Sequence, residues 1–282
     1  MKYKRFCAWM LLIVFALTAC TAAAQENEEP AIRHYLLLGF DYWGDETIGT
    51  SFSDTNIVLS VDAENSRILI ATIMRDSYVT MPSGQQSKLN QVVRKEGFEA
   101  MQATVGAALN IEIDAYIAIS APGFARLIGE LGGVEVDISK SEYESLKKRG
   151  MTENIPGYGK QTLRGNGLLA YLRDRYMGGG DMARTGKARE VMEQLIAKAK
   201  AMSKLELLSF AQKALEEIKF NLEPQDLITL ATAALNMDDL TIETIALPPE
   251  GTYQTAMKDG NSIVDADWDA VREQYHLFLQ GE

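Results

Sequence analysis

Cysteine is nearly absent from this chain of 282 residues: only Cys7 and Cys20 occur, and both fall in its first twenty positions. Beyond that segment no thiol remains, which excludes disulfides, zinc thiolates and a cysteine nucleophile together. Histidine is almost as scarce, with His34 and His276 alone, so neither a Ser-His-Asp triad nor a histidine-rich metal site has its parts. Both histidines read as surface residues. Positive charge is also short. Lys and Arg number 28 against 39 Asp and Glu, and a net charge of −11 with a pI near 4.9 excludes general binding to a nucleic-acid backbone. There is no G-x-x-x-x-G-K-[ST], no G-x-S-x-G, no H-E-x-x-H and no internal repeat. Any basic site in such a chain is local.

What is present begins with an address. Lys2, Lys4 and Arg5 precede the apolar run "FCAWMLLIVFALTAC" and the small residues "TAAAQ", the pattern of a secretory signal over residues 1–24. Its strongly apolar part is shorter than the roughly 20 residues of a membrane span. Leu17-Thr18-Ala19-Cys20 resembles a bacterial lipobox, which implies lipidation at Cys20; cleavage after Ala24 and retention as an anchor are the alternatives. "QENEEP" opens a polar tether over residues 25–33, and residues 34–282 read as one domain.

Short apolar runs bounded by turn residues predict strands in "HYLLLGFD", "TNIVLSVD", "RILIATI", "DAYIAIS", "VEVDI" and a final "TIETIAL". The second and third, separated by "AENS", read as a hairpin. Helical periodicity marks Gly97–Leu109, Pro122 to the Gly132-Gly133 stop, Ser141–Arg149, Gly165–Leu172, Arg184–Ser203, Lys204–Ile218, Pro224–Asn236 and Asp267–Leu279. Interleaved strands and helices predict an α/β fold, a central mixed sheet with helices on both faces.

Chemistry concentrates at strand ends and in one basic stretch. Asp41 and Asp54 flank "YWGDETIGTSFS" beside apolar strands, where they read either as oxygen ligands for a hard cation such as Mg²⁺ or as turn and cap aspartates. Arg75 and Asp76 leave the strand "RILIATI" directly, as a site pair or a surface ion pair. "LLAYLRDRYMGGGDMARTGKAREV" places Arg173, Arg175, Arg184, Lys187 and Arg189 around three glycines. Arg184 near a helix start opposes the helix dipole unless an anion sits there, so the cluster reads as a phosphate or pyrophosphate site. A solvated helix with Glu190 and Glu193 as partners is the other reading.

Together, "LLLGFD", "SDTNIVLSVD", "TIMRDSYV", "KLNQVV", "GFARLIGELGGVEVDI", "LRGNGLLAYLRDRY" and "DMARTGKARE" resemble the LytR-CpsA-Psr family of bacterial cell-envelope proteins, from about Tyr35 to Ala197. The resemblance implies a sheet domain with an apolar groove for a polyprenyl tail. It also implies Mg²⁺-assisted transfer of a phosphoglycosyl polymer, such as teichoic acid or capsule, from a polyprenyl pyrophosphate carrier to peptidoglycan at the outer face of the membrane. It places metal ligands at Asp41 and Asp54 and pyrophosphate contacts at Arg75, Arg173, Arg175 and Arg184, with Lys187 adding charge. Asp76 would take the proton of the attacking hydroxyl. Three departures stand out: Phe52 where the family usually has arginine, Lys187-Ala188 where it has Arg-Gln, and Met74 for proline. A carrier-binding protein without turnover and a pyrophosphate hydrolase are the rival readings.

Overall fold

The computed structural model describes residues 32–40, 52–173, 194, 198, 201–223, 226, 229–230 and 241–281. Its strands are β1 Ile32–Phe40, β2 Ser53–Asp62, β3 Arg67–Ile73, β4 Tyr78–Thr80, β5 Gln86–Lys88, β6 Ala115–Ser120, β7 Val134–Ile138, β8 Gly159–Leu163, β9 Ile218–Phe220, β10 Thr241–Leu247, β11 Tyr253–Lys258 and β12 Asn261–Ala266. Its helices are α1 Val92–Glu96, α2 Phe98–Leu109, α3 Ala121–Glu130, α4 Lys140–Lys148, α5 Gly165–Arg173, α6 Lys204–Glu217 and α7 Trp268–Gln280. None of the helices among the described residues is long and apolar enough to cross a membrane.

Six strands form the central sheet in the order β10-β3-β2-β1-β6-β9. β1 pairs antiparallel with β2 and parallel with β6, and β10 lies parallel to β3, so the sheet is mixed as expected. Apolar residues occupy both faces of β1, which is why it reads as a continuous run. Tyr35 and Leu37 join a core built with Phe124 and Ile128 of α3, Leu146 of α4, Leu168 of α5 and Phe210 of α6. Leu36, Leu38 and Phe40 face the opposite core, with Val92 of α1, Met101 and Val105 of α2, and Val271 and Tyr275 of α7. Each such side chain removed from water contributes roughly 1.5–3 kcal/mol.

Local signals set the helix ends. Ser120 accepts from the Gly123 amide at 3.1 Å to start α3, and Gly132 and Gly133, both left-handed, stop it. Ser139 and Glu142 cap α4 reciprocally, and Asp267 caps α7.

The structure corrects several expectations. β1 starts at Ile32, inside the expected tether, because Arg33 is tied to Asp114 at 3.0 Å and Asp226 at 2.7 Å. "TIETIAL" is not the final strand: the β11–β12 ribbon follows it. The helix expected to reach Ile218 stops at Glu217, where Ile218–Phe220 turns into β9 and pairs with β6. His34 and His276 are not free surface residues, since His34 Nδ1 lies 2.8 Å from Ser60 Oγ and His276 Nε2 lies 3.1 Å from the Leu109 carbonyl.

Candidate functional site

The site grows from a break in strand pairing. Gly39 of β1 faces Thr55 of β2, but the next pair is Phe40 with Ser53, so Asp54 is the extra residue of a β-bulge. A bulge re-aims side chains at a sheet end. Gly39 permits it: a Cβ there would lie 2.9 Å from Cβ of Thr55. Asp54, with its side chain only 12% exposed, is turned toward Arg75, whose Nη1 donates to Oδ1 at 2.6 Å.

Arg75 and Asp76 sit in a tight turn after β3, closed by the Ser77 amide donating to the Met74 carbonyl at 3.0 Å. Three separate segments grip that turn. The Met74 amide donates to the Leu247 carbonyl at 2.8 Å, the Asn90 amide to the Arg75 carbonyl at 3.0 Å, and the Val264 amide to the Asp76 carbonyl at 2.9 Å. A turn so fixed holds its side chains in place before any ligand arrives.

From this turn a line of alternating charge runs along the strand ends. Arg75 bridges Asp54 and, through Nε at 3.5 Å, Asp76; Lys88 at the end of β5 donates from Nζ to Asp76 Oδ1 at 3.0 Å. In the same segments Ser53 Oγ, Asn56 Oδ1, Ser77 Oγ and Asn90 Oδ1 are buried with no hydrogen-bond partner among the described residues. Phe52, two residues before Asp54, leaves 40% of itself exposed, and the Arg94 guanidinium of α1 lies 5.3 Å from its ring centroid.

Of the residues singled out in the sequence, Asp54, Arg75 and Asp76 are therefore brought together. The backbone of Arg173 is in α5, and its side chain lies outside the description. Asp41, Arg175, Arg184, Lys187, Ala188 and Cys20 lie outside the described residues. No group of three or more His, Cys, Asp or Glu suited to a metal occurs among the described residues. Sequence reasoning assigned no role to Lys88, although it opens the block "KLNQVV"; its partner, Asp76, becomes visible only once β4 and β5 pair.

A second polar network stands at the other end of β1. His34 meets Ser60, whose Oγ lies 3.1 Å from the Tyr275 hydroxyl, and burial with the neighbouring His276 lowers His34 to about 4.

The chain is similar to the polyisoprenyl-teichoic acid–peptidoglycan teichoic acid transferase TagU of Enterococcus faecalis, with 32% identity over 183 residues, 63% of this chain and 56% of that protein. It thus spans just over half the length of that relative. Its fold matches a solved structure of TagT bound to LIIa-WTA, with a TM-score of 0.65 and 23% identity over 92% of this chain and 94% of the other. It also matches the LytR-CPS2A-psr family protein YwtF (TagT) with bound octaprenyl pyrophosphate lipid, with a TM-score of 0.62 and 21% identity over 94% of this chain and 95% of the other. The family model is matched from residue 20 to residue 276, a span that contains the bulge, the gripped turn and nearly all of both cores, and the chain belongs to the LytR_cpsA_psr family.

Proposed function

We propose that this chain transfers a phosphoglycosyl polymer, of teichoic acid or capsule type, from a polyprenyl diphosphate carrier to peptidoglycan at the outer face of the bacterial membrane. The observation that carries the reading is the fixed line Asp54–Arg75–Asp76–Lys88 at the ends of the central strands. Family membership, the printed activity of TagU and the octaprenyl pyrophosphate in a solved neighbour of the same fold support it.

The chemistry follows from charge. A hydroxyl of the glycan acceptor attacks the sugar-side phosphorus, the phosphoanhydride bond breaks, and polyprenyl phosphate departs with the bridging oxygen. Such a reaction needs positioning and neutralisation of charge on phosphoryl oxygens more than covalent help. Arg75 and Lys88 supply donors already oriented by Asp54 and Asp76. As the diphosphate draws these cations, Asp76 is released to accept the hydroxyl proton. By the family resemblance, Arg173, Arg175, Arg184 and Lys187 would add further cationic contacts to the diphosphate.

The donor chemistry fits Mg²⁺: the Asp54 carboxylate is a hard oxygen ligand re-aimed by the bulge, and Mg²⁺ commonly takes one or two protein carboxylates with substrate phosphates and water. Asp54 and Asp41 would hold it, and when bound it would neutralise charge on the diphosphate. The N-terminal segment, lipidated at Cys20, would keep the domain within reach of its membrane-borne donor.

The test is a reaction of a polyprenyl-diphosphate-linked saccharide with peptidoglycan oligomers, with and without Mg²⁺. Covalently joined product that requires the acceptor supports the proposal. Release of phosphosugar regardless of acceptor identifies a hydrolase, and retention of substrate without turnover identifies a binding protein.

A further inference from the structure

The four charged groups of the strand-end line cancel. Asp54 and Asp76 are matched by Arg75 and Lys88, so an incoming anion finds little net attraction in that line before the pairs open. Arg94 differs. It is exposed, and no carboxylate pairs with it among the described residues.

Arg94 nevertheless has a seat. Val92 and Val93 are buried and pin α1 to the core, and α1 begins just after the segment carrying Lys88 and Asn90, whose amide is bonded to Arg75. On this short helix Arg94 lies over the ring of Phe52, the residue immediately before the strand that bears the Asp54 bulge. An arginine laid over an aromatic ring keeps its guanidinium edge free to donate, and the planar fork matches phosphoryl oxygens. The ring also restricts a side chain that would otherwise lose much of its rotamer freedom on binding. An exposed phenylalanine beside an arginine with no carboxylate partner among the described residues, both next in the chain to segments of the strand-end line, is thereby explained.

We infer that Arg94, seated on Phe52, is a substrate-binding residue that donates to the phosphate oxygens of a diphosphate ester entering the strand-end site. The inference deepens the transferase proposal and rests on its carrier-binding reading. It adds a cation from α1 to those of the turn and of β5, and it makes Phe52 a positioning residue.

The experiment is calorimetric titration of the whole chain with farnesyl diphosphate, a short polyprenyl diphosphate. Arg94→Ala is expected to weaken binding about tenfold, as loss of a charge-assisted hydrogen bond does. Phe52→Ala is expected to weaken it about threefold by unseating the guanidinium. Lys95→Ala, an exposed neighbour on the same helix, should bind as the wild type does. The double variant Phe52→Arg with Arg94→Ala should regain most of the lost affinity, because the new arginine starts two residues from Asp54. Unchanged binding by Arg94→Ala overturns the inference, and so does equal weakening by Lys95→Ala, which would show only a diffuse field. Failure of the wild type to bind the probe overturns the carrier reading and this inference with it.

Discussion

Arg75 and Asp54, 21 residues apart in the chain, meet at 2.6 Å because a turn gripped on three sides faces a bulge that throws one aspartate out of register. The pair is half of a line whose other half is Asp76 and Lys88. The backbone bonds of the turn and the register of the bulge hold arginine and carboxylate in place without a ligand.

Removing Arg75 separates catalysis from stability. Arg75→Ala should lower transfer by roughly 100-fold to 1,000-fold, as loss of a preorganised donor does. It should also destabilise the fold by about 1–3 kcal/mol, because the mostly buried Asp54 loses the charge-assisted bond from Arg75. Asp54→Asn in the same chain should return part of that stability but none of the activity. Urea denaturation of the two single variants and the double variant gives the coupling, and strict additivity would show that the pair does not interact.

Gly39 is expected to tolerate no side chain. Gly39→Ala places a methyl group 2.9 Å from Cβ of Thr55, which is not the flexible end of a side chain. A loss of about 1–3 kcal/mol follows from overpacking, and transfer should fall as the bulge shifts Asp54. Thr55→Gly in the same chain should relieve the clash. A melting temperature equal to the wild type for Gly39→Ala would show that the two strands are not in this register.

His34 gives a pH dependence whose sign is fixed. Its ordinary value of 6.5 is lowered to about 4 in the fold, by burial first and the charge of His276 second. The neutral ring is favoured by folding, so its contribution is complete above about 6.5. It declines as pH falls from about 6.5 to 4, where the unfolded chain already binds the proton. The loss amounts to about 1–3 kcal/mol, reduced by the part of the ring that meets water. His34→Asn, whose amide can keep the bond to Ser60, should flatten stability across this window in urea melts at several pH values. An unchanged slope would assign the decline to carboxylates instead.

The large sheet was legible in the sequence because its inner strands are buried on both faces, so that "YLLLGF", "NIVLSV" and "AYIAIS" stand out as apolar runs. The ribbons were not. β4 with β5 and β11 with β12 are short and half exposed, and their alternation is weak. One signal was there to be read: Asp259 and Gly260, both left-handed, make the turn that favours a hairpin between β11 and β12. Of the candidate residues, Asp54, Arg75 and Asp76 were singled out from their place at strand ends, and the fold brings these three together. The bulge that joins them is a matter of register, which no single strand displays, and Lys88 needed the β4–β5 ribbon to bring it to Asp76. Phe52 read as a missing arginine; in the fold it carries Arg94 on its face.

If the strand-end line handles a diphosphate, the glycan moves to peptidoglycan together with one phosphate. The measurement uses a polyprenyl-diphosphate saccharide labelled with phosphorus-32 at the sugar-side phosphate, incubated with peptidoglycan and either the wild type or Arg75→Ala. Label should become joined to peptidoglycan with the wild type alone. Label that stays with the prenyl product, or equal transfer by the variant, would contradict it.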